Sequence, residues 1–156
     1  MGQTAITHVK YDIPFVPSSD EKVLTMMKLA DIKIGEKAID LGSGEGRLVM
    51  AMAAKGAQAV GVEIDPERSL LSITRIIAAS LQNRARIIRG SFWRHNLSPY
   101  DIIVLYGVPS IMPRLAQKIL NECQPSVRIV SNYFTFRDWR PQVSENHVHL
   151  YRPFAQ

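Results

Sequence analysis

The sequence has 156 residues, of which 46% are hydrophobic and 21% are charged. That composition excludes a disordered chain and predicts one globular domain spanning residues 1–156. No apolar run is long enough to cross a bilayer, and the first residues lack the apolar core of a secretory signal. The net charge of +5 permits nucleic acid or another acidic partner. The lone cysteine, Cys123, excludes an internal disulfide and is typical of a reducing compartment, so we expect a cytoplasmic protein.

The N-terminal segment, residues 1–19, precedes the first predicted helix. Residues 11–17 contain two prolines and several bulky apolar side chains, which predict an extended stretch packed against the body of the protein. Ser18 and Glu21 have the spacing of a capping box, and apolar residues at helical spacing follow from Val23 to Ala30. A helix here could cover a ligand crevice, but we expect its methionines to pack on the sheet.

The most informative pattern of the chain lies at residues 37–53. A short apolar run ends at Asp40, a glycine-rich turn occupies residues 42–46, and residues 47–53 continue with helical spacing. This order predicts the strand, turn and helix that open a doubly wound sheet, with a ligand crevice at the carboxyl end of the strand. Glycines suit such a turn because the backbone must reverse sharply and approach a ligand closely.

The acidic residues beside this turn discriminate between ligands. The turn reads G-x-G-x-G, with Arg47 where a dinucleotide fingerprint has its third glycine, and Asp40 would repel a pyrophosphate. A carboxylate at that place suits S-adenosylmethionine, which carries an ammonium and a sulfonium. Glu63 ends the next apolar run, about 20 residues beyond the first glycine, where a second strand delivers an acid to ribose hydroxyls. The two acids together predict an S-adenosylmethionine site.

The remaining elements alternate between strands and helices. Further strands are predicted at residues 58–62, 86–89, 100–106 and 127–131, with a closing hairpin over 143–151. This order predicts an α/β fold with a doubly wound, mostly parallel, Rossmann-like sheet and a terminal antiparallel strand. Right-handed crossovers would bring Asp40, Glu63, Ser91, Phe92 and Tyr106 to one rim. The helix opened by Asp65 and Pro66 is expected to turn its apolar side chains toward the sheet, namely Leu70, Leu71, Ile73, Ile76, Ile77 and Leu81.

These motifs resemble the class I S-adenosylmethionine-dependent methyltransferases. The resemblance rests on the stretch from Asp40 to Gly46 and on Val62-Glu63-Ile64-Asp65. Three further stretches, residues 14–18, 90–92 and 128–141, are similar to the archaeal broad-specificity protein lysine methyltransferases. They are also similar to the mitochondrial lysine methyltransferases of the ATP synthase c subunit and the adenine nucleotide translocase. The resemblance runs from about Tyr11 to the C-terminus.

The resemblance implies a role for each matching residue. Asp40 and the backbone of the glycine turn would hold the methionine moiety, Glu63 the ribose hydroxyls, and Ile64 the adenine, with residues 14–18 at the methionine end. Ser91 departs from the acid or amide common in relatives, and a serine reaches less far toward the adenine amino group. The expected cofactor-binding residues are Val16, Pro17, Ser18, Asp40, Leu41, Gly42, Ser43, Gly44, Gly46, Glu63, Ile64, Asp65, Ser91 and Phe92.

The chemistry of amine methylation needs alignment more than a dedicated base. A lysine amine must lose a proton from a pKa near 10.4, and an apolar slot beside a sulfonium favours that loss. Tyr106, Tyr133, Phe134 and Trp139 could form such a slot, since aromatic faces also accept methylated ammonium groups. We take Tyr106, Tyr133 and Phe134 as the catalytic candidates; each could instead be a core residue.

Other substrates fit the sequence less well. Residues 105–109 lack the Asn/Asp-Pro-Pro-aromatic motif of nucleobase amine methylation, and Cys123 lies in a predicted helix, away from the strand that carries a cytosine-attacking cysteine. His147 and His149 without a third ligand do not predict a metal site. Small-molecule or nucleic-acid methylation and a non-catalytic cofactor-binding partner remain alternatives. We favour transfer to accessible lysines of a protein substrate.

Overall fold

A seven-stranded sheet forms the centre of the computed structural model, which describes residues 15–155. Its strand order is β3-β2-β1-β4-β5-β7-β6. The predicted extended segment before Phe15 lies outside the described residues. The strands are β1 Lys37–Leu41, β2 Gln58–Glu63, β3 Ala85–Arg89, β4 Ile102–Leu105, β5 Arg128–Asn132, β6 Val143–Glu145 and β7 Val148–Tyr151. The helices are α1 Asp20–Ala30, α2 Arg47–Ala54, α3 Pro66–Ala78 and α4 Met112–Glu122, with short 3-10 turns at Phe92–Arg94 and Pro153–Ala155.

The first strand lies where the strand order reverses. β1 pairs in parallel with both β2 and β4, and β3 and β5 extend the parallel sheet on either side. In such sheets the ligand crevice opens at this reversal, beyond the carboxyl ends of the strands. The predicted fold class is confirmed.

The last two strands form the predicted closing hairpin. β7 runs antiparallel to β5 and to β6, and Glu145 pairs with Val148 across a two-residue turn. Both turn residues, Asn146 and His147, have positive φ angles of 50° and 56°. That conformation matches the right-handed twist of a hairpin.

Helices cover both faces of the sheet, and each face has its own core. Met26 and Met27 of α1 are buried with residues of α2, and Ile76 of α3 joins the same cluster. α4 packs on the opposite face through Leu115 and Ile119. The methionines of α1 therefore pack on the sheet as expected. No described helix is long and apolar enough to cross a membrane.

The orientation predicted for α3 is wrong for four of its six apolar residues, although Ile76 is buried and Leu81 packs against the core. Leu70, Leu71, Ile73 and Ile77 are exposed, and the buried residues of the helix are Ser69, Ser72 and Ile76. The reason is a close approach between the helix and the glycine turn. A Cβ on Gly46 would lie 3.1 Å from that of Ser72, whose hydroxyl donates to the Gly44 carbonyl at 2.8 Å. Only a small, hydrogen-bonding side chain fits there.

Candidate functional site

A cavity opens at the carboxyl ends of β1 and β2, and most of the predicted cofactor-binding residues line it. The predicted residues in its wall are Val16, Pro17, Ser18, Asp40, Gly42, Ser43, Gly44, Glu63, Ile64, Ser91, Phe92 and Tyr106. They come from five separate stretches of the chain. The fold therefore brings together residues that the sequence separates.

Asp40 lies at the bottom of this cavity and is 4% exposed. Burial, followed by the nearby charge of Glu63, raises the pKa of this carboxyl to about 8. Among the described residues none donates a hydrogen bond or brings a positive charge to Asp40. A buried carboxyl without a cation fits a positively charged ligand group, because a buried charge is stable only when it is paired.

Glu63 ties the end of β2 to the glycine turn. One carboxylate oxygen accepts from the Gly44 backbone N–H at 2.7 Å, and the other accepts from Asp65 N–H at 3.0 Å and from Arg68 Nη2 at 3.3 Å. Two carboxylate oxygens offer about four acceptor positions, so capacity remains for a ligand hydroxyl. The Glu63 side chain therefore has two roles: it fixes the conformation of the glycine turn, and it lines the cavity.

The glycine turn depends on backbone conformations that other residues disfavour. Gly42, Gly44 and Gly46 have φ angles of 80°, 55° and 84°. The N–H groups of Gly42 and Ser43 both donate to the Val62 carbonyl at 2.9 Å. These bonds fix the turn against β2 and set the floor of the cavity.

Three predicted cofactor residues do not reach the cavity wall. Leu41 is 1% exposed and packs in the core between the sheet and α4. Gly46 ends the turn against Ser72, and Asp65 accepts from the N–H groups of Glu67 and Arg68 as the N-cap of α3. These three residues stabilise the elements that carry the site and do not face the cavity.

Ser91 lines the cavity but has a local partner. Its hydroxyl oxygen accepts from Trp93 N–H at 3.3 Å and caps the 3-10 turn that begins at Phe92. Phe92 itself is 8% exposed, and its ring centre lies 4.7 Å from that of Trp93 in a tilted contact. This turn forms the cavity wall on the side of β3.

Two side chains of the wall, those of Arg47 and Arg68, had no role in the sequence prediction, whereas Phe15 belongs to the segment that was expected at the methionine end. The Phe15 ring centre lies 4.8 Å from Cζ of Arg68, and the ring edge is close to Gly44. Arg47 hydrogen-bonds to the Ser18 carbonyl and pairs with Asp20, which holds residues 15–18 over the turn. These contacts join residues that are far apart in the sequence, so the spacing of residues along the chain could not predict them.

The aromatic candidates divide between a surface and the core. Tyr106 lines the cavity and contacts Phe134 with ring centres 5.8 Å apart. Phe134 in turn meets the exposed Tyr133 edge-on at 5.1 Å. Trp139 is a correction, because it is 9% exposed and packs on Phe136 at 4.3 Å within the core. Tyr106, Phe134 and Tyr133 therefore form a continuous aromatic surface beside the cavity, without Trp139.

The cavity wall contains neither a cysteine nor a histidine among the residues that the structure describes. Cys123 follows the last residue of α4, and burial raises the pKa of its thiol to about 11. A thiol with that pKa is a poor nucleophile at neutral pH. Within residues 15–155 no group of three His, Cys, Asp or Glu side chains is placed to hold a metal ion.

Comparison with known proteins places this geometry in a family. A family model described as the ANTKMT methyltransferase domain matches residues 40–143. The Xenopus laevis lysine N-methyltransferase named for the ATP synthase c subunit is 33% identical over 132 residues, 85% of this chain and 58% of that protein. The protein-lysine N-methyltransferase of Saccharolobus islandicus is 31% identical over 133 residues, 83% of this chain and 82% of that protein.

Solved structures agree on the fold. The crystal structure of an RNA methyltransferase from Salinibacter ruber with S-adenosyl-L-homocysteine matches with a TM-score of 0.81 at 29% identity, over 87% of this chain and 91% of that one. The chain spans little more than half the length of the vertebrate relatives that it matches. The family model nevertheless covers well over half of the chain and includes both acidic residues of the cavity. On these grounds the chain belongs to the ANTKMT methyltransferase domain family.

Proposed function

We propose that this protein transfers the methyl group of S-adenosylmethionine to lysine side chains of a protein substrate. One observation carries the proposal: Tyr106 lines the cavity that holds Asp40 and Glu63, and it also contacts Phe134 of the aromatic surface. A charged cofactor and an alkyl amine can thus meet at one place. The relatives from Xenopus and Saccharolobus are named as lysine N-methyltransferases, which supports the same acceptor.

The described residues fit the cofactor. Asp40 would pair with its amino group, Glu63 with its ribose hydroxyls, and Ile64 and Phe92 would flank its adenine; all four line the cavity. When bound, the cofactor supplies an electrophilic methyl group on a sulfonium, and the thioether that remains after transfer is a good leaving group. The protein then has to align the nucleophile and exclude water, and such alignment can account for much of the rate.

The aromatic surface suits an amine that must be neutral to react. Tyr106 and Phe134 are partly buried and in contact, so an alkyl ammonium that lies against them loses part of its hydration. Loss of hydration lowers the pKa of a lysine, and the neutral amine then carries the lone pair that attacks the methyl group. We therefore assign no dedicated base and place the acceptor amine against Tyr106, Tyr133 and Phe134.

A second acceptor class follows from one comparison. The structural relative from Salinibacter ruber is titled an RNA methyltransferase, and this chain carries a net charge of +5. Excess positive charge attracts polyanions regardless of sequence. RNA is therefore the second candidate, and transfer to a small molecule is the third.

The proposal includes the setting of the reaction. We infer that residues 1–156 act as one domain and that the protein works in a reducing, cytoplasmic environment. The lone, half-buried Cys123 supports that environment, because disulfides predominate in oxidising compartments. The acceptor is inferred to be a protein with accessible lysines.

Labelled transfer in a cell lysate tests the proposal. The lysate is incubated with the protein and methyl-labelled S-adenosylmethionine, then divided and treated with protease or with nuclease. Protein-bound label should survive nuclease and become soluble with protease. The Asp40→Ala protein serves as the control for background transfer. Label that disappears with nuclease would establish RNA as the acceptor instead.

A further inference from the structure

We propose that Asn132 binds the acceptor amine, accepting a hydrogen bond from the lysine nitrogen and directing its lone pair toward the methyl group. The inference rests on the proposed function, since it names a residue that would contact the substrate of that reaction. Asn132 is the last residue of β5 and is 6% exposed. No sequence motif assigns it a role.

The side-chain oxygen of Asn132 is a buried acceptor without a partner. Oδ1 accepts no hydrogen bond from any residue between 15 and 155. Buried polar atoms are almost always paired in folded proteins, and an orphan has a cost that calls for an explanation. A ligand that donates a hydrogen bond when it arrives is such an explanation.

The register of the sheet places Asn132 next to Tyr106, which belongs to the wall of the cofactor cavity. Val130 packs in the same core cluster as Val104 and Ala38, so all three side chains lie on one face of the sheet. Side chains alternate along a strand, so residues two positions further on return to that face. Those residues are Tyr106 after Val104, Asp40 after Ala38, and Asn132 after Val130.

Neighbouring strands are about 4.8 Å apart, which sets the spacing between Tyr106 and Asn132. Asp40 pairs with Val104 and therefore lies two residues before this pair along the strand direction. Leu105 pairs with Ser131, and Tyr106 and Asn132 each follow one residue later. Tyr106 lines the cofactor cavity together with Asp40. Asn132 therefore lies on the far side of Tyr106 from the cofactor residues, where an acceptor amine would enter.

A strained turn fixes the backbone directly after Asn132. Phe134 N–H donates to the Asn132 carbonyl at 3.0 Å, closing a turn of three residues around Tyr133. Tyr133 has a φ of 73°, which is unfavourable for a residue with a Cβ. Ser131 Oγ donates to the Phe134 carbonyl at 2.6 Å and Tyr133 N–H to the His147 carbonyl at 2.7 Å. Strained backbone conformations that the surrounding hydrogen bonds maintain are found most often at functional sites.

The chemistry suits an amide at this position. In the transfer, the nitrogen lone pair forms the N–C bond while the C–S bond breaks and leaves its electron pair on sulfur; the lysine proton goes to water beforehand. An amide oxygen accepts an N–H bond and orients the nitrogen. Being uncharged, it stabilises the ammonium form less than a carboxylate would. Asn132 can thus position the amine and leave its lone pair available.

The test compares Asn132→Ala and Asn132→Asp with the exposed Asn121→Ala as the matched control. Transfer to lysate protein is measured across pH at saturating cofactor, together with S-adenosylhomocysteine binding by calorimetry and thermal unfolding. Asn132→Ala should lower the rate about 100-fold, the scale of losing nucleophile alignment. Its S-adenosylhomocysteine affinity and unfolding midpoint should remain near those of Asn121→Ala.

Asn132→Asp preserves the shape and decides the matter if the alanine variant does not fold. A carboxylate would hold the ammonium form, so its rate profile should move to higher pH by about one unit. An unchanged pH profile in Asn132→Asp would overturn the inference. So would a normal rate in Asn132→Ala, or a loss of rate in that variant that equals its loss of S-adenosylhomocysteine affinity. If the unmodified protein labels no lysine, the proposed function fails first, independently of Asn132.

Discussion

The Glu63 carboxylate accepts a hydrogen bond from the Gly44 backbone N–H at 2.7 Å, joining the end of β2 to the turn that follows β1. This bond links the two features from which the cofactor site was predicted, the glycine turn and the second acid. A single side chain thereby shapes the turn and presents an acceptor to the cavity. Loss of Glu63 should therefore affect both folding and cofactor binding.

Substitution Glu63→Ala should weaken S-adenosylhomocysteine binding by about 1–3 kcal/mol, the usual scale for hydrogen bonds to a charged group. Unfolding in urea should show a loss of stability of similar size, because the Gly44 N–H is left without its acceptor. Calorimetry and urea titration measure the two effects. Glu67→Ala, at an exposed position in the first turn of α3, is the control. Unchanged S-adenosylhomocysteine affinity in Glu63→Ala would remove Glu63 from the cofactor site.

Cofactor binding should release a proton near neutral pH. Asp40 has a pKa of about 8 in the free protein, raised by burial and by Glu63. A bound ammonium group favours the carboxylate and lowers that pKa, so S-adenosylhomocysteine affinity should rise with pH from 6 to 8. Calorimetry at pH 7 in buffers of different ionisation enthalpy measures the released proton. Asp40→Asn should abolish this release, and equal release from the variant would contradict the assignment.

Asp40 should also lower the stability of the fold as pH rises from about 4 to about 8. Its pKa is about 8 in the folded protein and near 3.9 when unfolded, so the folded state binds more protons between those values. Stability contributed by this group therefore falls as pH rises through that range. Asp40→Asn should be more stable than the unmodified protein at pH 8 by at least about 2 kcal/mol, since each pKa unit corresponds to about 1.4 kcal/mol. The advantage should vanish near pH 4, with the exposed Asp138→Asn showing neither effect.

Gly61 should tolerate no side chain. A Cβ at this position of β2 would lie 2.5 Å from Ser43 Oγ and 2.7 Å from a Val49 methyl group. Overpacking of this kind costs about 1–3 kcal/mol, so Gly61→Ala should lower the midpoint of thermal unfolding. It should also weaken S-adenosylhomocysteine binding, because Ser43 belongs to the turn. A variant with an unchanged midpoint would show that the turn can shift without cost.

The elements around the site were predictable because strand ends leave a clear mark in the sequence. Asp40 and Glu63 each terminate an apolar run, and parallel strands bring their carboxyl ends to one rim. The face of α3 was not predictable. Apolar spacing cannot show that Ser72 must approach Gly46 closely, and that contact turns the leucines outward.

The aromatic residues show a second limit of sequence reasoning. Tyr133 and Trp139 lie close together in the chain and have similar chemistry, yet one is 55% exposed and the other 9%. The positive φ of Tyr133 separates their environments by reversing the chain after β5. Phe15 and Arg68 meet only through tertiary packing, so their contact at the cavity was not predictable.

The chemical position of the transferred methyl group tests the central claim most directly. Macromolecules labelled by the protein and methyl-labelled S-adenosylmethionine are hydrolysed completely, and the products are separated by chromatography. Transfer to lysine predicts that the label elutes as methylated lysine, and that its rate of appearance rises from neutral to alkaline pH as the reactive amine fraction grows. Label that elutes as a methylated nucleobase or ribose, or only in the small-molecule fraction, would contradict the account.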